Sequence, residues 1–172
     1  SSSASTTNQS LCINTAITPI AYTVGGSATS ASVTGLPAGV TGSFSSGAFT
    51  LSGIPTVAGT FNYLVTTTGG CSPAVSLGGT ITVSPLSALV LTSSAATTNQ
   101  ILCMNTALNA VTYTVGGSAT GANITGLPAG VVGSFATGVV TINGMPTVSG
   151  AFNYSVTTTG GCSPTVILGG TI

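Results

Sequence analysis

The stretch Ser52–Cys71, SGIPTVAGTFNYLVTTTGGC, decides how this chain folds. Its centre alternates. Phe61, Tyr63 and Val65 fall on one side of an extended chain and Asn62 and Leu64 on the other, because successive side chains of a β-strand point to opposite faces. On its flanks, GIPTVAG and GG hold the residues that turns require: Gly for positive φ, Pro for a preset φ. The stretch is then written again, as NGMPTVSGAFNYSVTTTGGC over Asn143–Cys162. There Phe152, Tyr154 and Val156 keep the apolar side, while Ser155 stands in place of Leu64 and marks the other side as the wetter one.

Working outward, the whole chain is duplicated. A shift of about 91 residues lays Cys12 on Cys103, Tyr22 on Tyr113, Gly35 on Gly126 and Cys71 on Cys162, with roughly two-thirds of positions identical and no gap. A unit of that length suits a β-sandwich of about 100 residues better than a solenoid turn of about 20–45. The other apolar runs show the same period of two: Ile20, Tyr22 and Val24 share a side, as do Phe49 and Leu51, matched in the second copy by Val140 and Ile142. GLPAG and CSP between them are turn chemistry, and no stretch has a capped helical period. The expectation is an all-β protein of two tandem sandwiches, residues 1–85 and 86–172. The seam at Pro85, in TITVSPLSALVLTSS, is short enough to favour an extended rod. The second copy stops at GGTI where the first continues GGTITVSP, so residues 86–172 read as a C-terminally truncated excerpt of a longer array.

Composition removes whole classes of function. Among 172 residues there is no Lys, Arg, Asp, Glu or His, against about 25% charged residues in an average soluble protein. A nucleic-acid partner needs cations to displace counterions from phosphate. General acid–base catalysis at neutral pH needs His or a carboxylate. Calcium and magnesium need carboxylate oxygens, and zinc would have to rely on the cysteines alone. The chain is therefore read as no enzyme, with no cofactor, no metal and no nucleic-acid partner. Mean hydropathy is positive, but no run of about 18 apolar residues exists to insert in a membrane. The apolar content is Val, Ile, Leu and Ala scattered among Thr, Ser and Gly, as in strands. An uncharged surface also predicts interactions that depend little on salt.

Four cysteines allow three pairings. The repeat favours one intradomain disulfide in each unit, Cys12–Cys71 and Cys103–Cys162, each closing a loop of about 60 residues. Such a bond is worth roughly 4 kcal/mol in the chain-entropy model and implies an oxidising compartment. The alternatives are inert buried thiols, a metal held by all four cysteines, and a reactive thiol. The last lacks any cationic neighbour to activate it.

The phrase GLPAGVTGSFSSGAFTLSGIPTVAGTFNYLVTTT resembles the Ig-like repeat domains of bacterial surface proteins. With TTTGGC appended it is similar to the repeats of giant cell-surface adhesins of Bacteroidetes, the SprB-type gliding-motility adhesins among them. The resemblance covers roughly residues 10–83 and 101–172. It implies an Ig-like sandwich in an extracellular, cell-surface filament, exported by the type IX system and anchored at the outer membrane. Its implied partners are neighbouring repeats of the same chain, other filaments, and anchoring or motility proteins. The antibody pattern is not met: no Trp lies between the cysteines, and neither Tyr63 nor Tyr154 stands two residues before its Cys.

The remaining candidates have bland readings. GGSATSASVTG and GGSATGANITG hold Gly and Ser as a phosphate cradle would, but no Lys follows and they read as plain turns. Tyr22, Tyr63, Tyr113 and Tyr154 could stack on sugars; their place on apolar faces predicts core packing. Two functions remain: a structural stalk module of an adhesin filament, and a module binding glycans or external surfaces by avidity over many repeats.

Overall fold

The computed structural model describes residues 4–172. Apart from one helical turn at Ala4–Thr7 and a 3-10 turn at Ala95–Thr97, its regular elements are β-strands. The chain divides into two compact units, Ser1–Pro85 and Leu86–Ile172.

Unit 1 holds β1 (Asn8–Cys12), β2 (Ile20–Thr23), β3 (Ser30–Thr34), β4 (Val40–Ser45), β5 (Ala48–Gly53), β6 (Gly59–Thr68) and β7 (Ser76–Ser84). They form a four-stranded sheet in the order β1-β7-β6-β3 and a three-stranded sheet in the order β2-β5-β4. The decisive stretch forms β6, which runs antiparallel to β7 from Gly59↔Val83 to Thr66↔Ser76 and antiparallel to β3 on its other side. β1 joins parallel to β7, from Asn8↔Thr80 to Cys12↔Ser84. The alternation read from sequence fills the space between the sheets. Tyr63 and Val65 of β6 and Ile81 and Val83 of β7 pack with Ile20 and Tyr22 of β2 and Phe49 and Leu51 of β5. Each fully buried aliphatic side chain contributes about 1.5–3 kcal/mol. Leu64 points outward and is 45% exposed, as Ser155 in the second copy foretells. At the turn after β3, Gly35 takes φ +80°, and a Cβ there would run into the carbonyl oxygen of Asn62, so only glycine fits.

Unit 2 holds β8 (Ser87–Leu91), β9 (Val111–Gly117), β10 (Gly121–Thr125), β11 (Val131–Ala136), β12 (Val139–Gly144), β13 (Asn153–Thr159) and β14 (Ile167–Thr171). The sheets are β10-β13-β14 and β11-β12-β9-β8. Val111, Val140, Ile142 and Val156 are fully enclosed, with Tyr113 and Tyr154 beside them.

Two strands correct the sequence reading. β3 (SASVT) and β10 (GANIT) lie in the Gly/Ser-rich runs expected to be turns; the non-strand part is confined to residues 25–29 of the first run and 118–120 of the second, apart from the closing glycine of each. Their side chains are too small to register as apolar alternation. What makes them strands is a partner, since Ser30–Thr34 is paired throughout with β6 and Gly121–Thr125 with β13.

Candidate functional site

The polar residues of this fold are used to tie strands and loops together, and the same ties recur in both units. Tyr22 and Tyr63 place their hydroxyls 2.8 Å apart in the core. Tyr63 donates to the carbonyl of Thr7 at 3.1 Å, so the Tyr22 hydroxyl is the donor between the two phenols. In unit 2, Tyr113 and Tyr154 stand 3.2 Å apart and Tyr154 donates to Thr98 O at 3.4 Å. Burial in the core is the main cause that pushes the Tyr63 and Tyr154 phenols well above their ordinary range. All four tyrosines are core residues; none offers a ring face for a sugar.

A glutamine takes the place of backbone in each unit. Gln9 Nε2 donates to Thr6 O and Thr18 O, and its Oε1 accepts from the Thr18 N–H at 2.9 Å. Gln100 makes the same three bonds, to Thr97 O, Asn109 O and the Asn109 N–H. Asn8 accepts from the Thr80 N–H and Asn99 from the Thr171 N–H, at 3.0 and 3.1 Å. Asn62 and Asn153 accept from the hydroxyls of those same threonines. Sequence reading passed over these residues as ordinary polar segment. The signal that could have found them is the verbatim repetition of TTNQ at residues 6–9 and 97–100.

The cysteines depart from expectation. Cys12 and Cys162 are disulfide-bonded, whereas Cys71 and Cys103 are exposed free thiols. Neither intradomain pair, Cys12–Cys71 or Cys103–Cys162, is formed. The register explains why. In unit 1, Cys12 lies beside Ser84, the last residue of β7, while Cys71 follows the end of β6 that pairs with Ser76, the first residue of β7. The length of β7, roughly 26 Å at about 3.3 Å per residue, separates them, and a disulfide needs Cα atoms within about 7 Å. In unit 2, Cys103 lies beyond the Thr171 end of β14, where Gln100 donates to Thr171 O, and Cys162 lies beyond the Ile167 end. Cys162 is buried: its N–H donates to Ser118 Oγ at 2.7 Å and its carbonyl accepts from Ser87 Oγ at 2.8 Å. The cysteines of a unit thus sit at opposite ends of its sheet, and among the described residues no three metal-ligating side chains come together.

The fold is similar to that of solved structures. A cis-dimer structure of protocadherin gammaB7 matches at a TM-score of 0.51, with 12% identity over 96% of this chain and 44% of that one. The units are Ig-like β-sandwiches. A titin fragment (TM-score 0.43, 14% identity, 94% of this chain and 93% of that one) and the fibronectin(III)-like modules of Clostridium thermocellum CbhA (0.36, 14%, 95% and 89%) also match. No protein-family model matches the sequence, and no curated protein does. Among the described residues no helix is long and apolar enough to cross a membrane.

Proposed function

We propose that this chain is a non-enzymatic structural module, two repeats from the stalk of a secreted cell-surface adhesin filament that serves adhesion or gliding motility. In this reading the filament leaves the cell by a type IX route and is held at the outer membrane. The observation that carries it is the recurrence of the tyrosine, glutamine and asparagine–threonine ties at equivalent positions in both units. Tyrosine pairs, glutamine clamps and asparagine–threonine bonds all hold strands together, and among the described residues no buried side-chain N or O lacks a partner. A chain that commits its polar groups to holding strands, and has no acidic, basic or histidine side chain, is suited to bearing load. The disulfide-bonded Cys12 and Cys162 support an oxidising, extracellular setting.

Arrays of several repeats, pulled end to end under reducing conditions, test this. Each repeat is expected to unfold separately, lengthening the chain by equal steps of about 25–30 nm, the span of an extended unit less its folded length. Irregular traces without repeating steps contradict the stalk. Saturable binding of the same arrays on a glycan array would favour the avidity reading instead; the burial of all four tyrosines argues for a blank array.

A further inference from the structure

In each unit one sheet ends in a strand that carries no guard. β4 closes the sheet β2-β5-β4, and β11 closes the sheet β11-β12-β9-β8, with no strand beyond either. β4 reads VTGSFS and β11 reads VVGSFA, with none of the Lys or Pro that blunt many sheet edges. Nor is there a bulge: the registers run unbroken, Val40↔Gly53 to Ser45↔Ala48 and Val131↔Gly144 to Ala136↔Val139. The hairpin turns fix which backbone groups face outward. Ser46 and Gly47 take φ 47° and 78°, and Thr137 and Gly138 take φ 48° and 78°, as in a tight hairpin whose flanking residues exchange both bonds. Thr41, Ser43 and Ser45 therefore spend their backbone groups on β5, while those of Val40, Gly42 and Phe44 point away from it. The turn before the strand takes the first of these, since the Val40 N–H donates to Pro37 O at 3.1 Å, as Val131 does to Pro128 O. The backbone groups of Gly42 and Phe44 stay directed outward, as do those of Gly133 and Phe135.

We infer that β4 and β11 are self-pairing edges, each docking antiparallel on the same strand of a second copy of the chain, about a two-fold axis at Ser43 or Ser134. In that register Gly42 lies opposite Phe44 of the other copy and exchanges both backbone bonds with it, so the sheet continues from one chain into the next. The side chains point to a second copy as the occupant. Between the two strands only two positions differ, Thr41 against Val132 and Ser45 against Ala136. These are the two positions that face each other across the axis, where side chains stand about 4.5–5.5 Å apart. In β4 both carry hydroxyls and in β11 both are apolar, so hydroxyl meets hydroxyl and Val meets Ala. Within one unit the two lie about 13 Å apart along the strand, too far to touch, yet they have changed together. Val132, 65% exposed, gains the cover that its own unit does not give. With no charged side chain in the chain, like edges meet without repulsion. A single strand pair buries far less than the roughly 1,200 Å² of a stable complex, so one contact is weak and strength comes from pairing over successive repeats. The inference rests on the stalk reading for its setting and gives the stalk a partner, a parallel filament of the same chain.

The test uses the full chain with the exposed thiols of Cys71 and Cys103 alkylated, so that no new disulfide joins copies. Sedimentation and hydrogen exchange are followed from micromolar to millimolar concentration at low salt. Reversible association is expected, with the amides of Gly42, Phe44, Gly133 and Phe135 gaining protection as concentration rises. Ser43→Lys with Ser134→Lys sets like charges face to face on each axis, and Ser43→Glu with Ser134→Glu does the same with the opposite sign. Each variant alone should associate more weakly by about tenfold or more, and an equimolar mixture of the two should recover at least the original association. Both serines are exposed, and an unchanged melting temperature shows that the fold survives the substitutions. A chain that stays monomeric at millimolar concentration overturns the inference. So does association that both variants retain, that the mixture fails to restore, or that leaves these amides unprotected. The two readings fail separately: equal force steps without association leave the stalk standing, and irregular force traces with charge-swapped pairing leave the edges standing.

Discussion

Leu11-Cys12 and Leu102-Cys103 are the same dipeptide at the same point of the repeat, yet the first lies in a strand and the second in irregular chain. The reverse holds at the other sheet. β2 of unit 1 is confined to Ile20–Thr23, while its counterpart β9 runs Val111–Gly117 because β8 lies alongside it from Ser87↔Gly117 to Leu91↔Tyr113. Near-identical sequence therefore gives different secondary structure at each unit's edge, and the deciding variable is whether a neighbouring strand is present. Propensity in these Thr-, Ser- and Gly-rich segments is weak, and pairing settles the outcome.

The largest expected effect that would sharpen this contrast is at a pair of equivalent glycines. Gly26 and Gly117 both have positive φ, but a Cβ on Gly26 meets nothing within 4 Å, whereas one on Gly117 collides with the carbonyl oxygen of Leu86 just ahead of β8. Gly26→Ala should cost about 1 kcal/mol for its backbone conformation. Gly117→Ala should cost at least about 2 kcal/mol more and detach β8. Hydrogen exchange read separately in each unit would measure both, and equal costs would mean that β8 contributes little to unit 2.

A smaller difference is expected in the cores. Tyr63→Phe removes the hydroxyl that links Tyr22 to Thr7 and should cost about 1–2 kcal/mol. In unit 2 the corresponding bonds are longer, so Tyr154→Phe should cost less, below about 1 kcal/mol. Urea unfolding of the two variants gives the comparison, and a larger loss for Tyr154→Phe would reverse the ranking of the two tyrosine pairs.

The smallest contrast is one of condition. Tyr63 and Tyr154 hold their protons more tightly when folded than the ordinary phenol value of about 10. Above about pH 10 the unfolded chain loses these protons first, so stability falls in both units as pH rises. Between about pH 5 and 8, and from low to high ionic strength, the melting temperature should barely move, there being no charged side chains to protonate or screen. A shift of many degrees with salt, or a chain that gains stability at alkaline pH, would contradict this.

Much of the fold was legible in the sequence because its information lies in alternation. Tyr63, Val65, Phe49, Leu51, Val140 and Ile142 all face inward as their spacing indicates. What was illegible depends on distance along the chain. β3 and β10 are strands only because β6 and β13 pair with them. The cysteine pairing failed because duplication places Cys12 and Cys71 in one repeat without revealing that a whole strand length separates them. Gln9 and Gln100 were passed over because a side chain acting as backbone leaves no periodic trace.

The uncharged turns that join these strands have a practical consequence outside the cell. A loop is where a protease ordinarily enters, and enzymes that cut after lysine, arginine, aspartate or glutamate find no residue to recognise in any loop of either unit. The tyrosines that chymotrypsin-like enzymes prefer are shut in the cores. Enzymes of trypsin-like and acidic-residue specificity would meet this surface and have nowhere to begin.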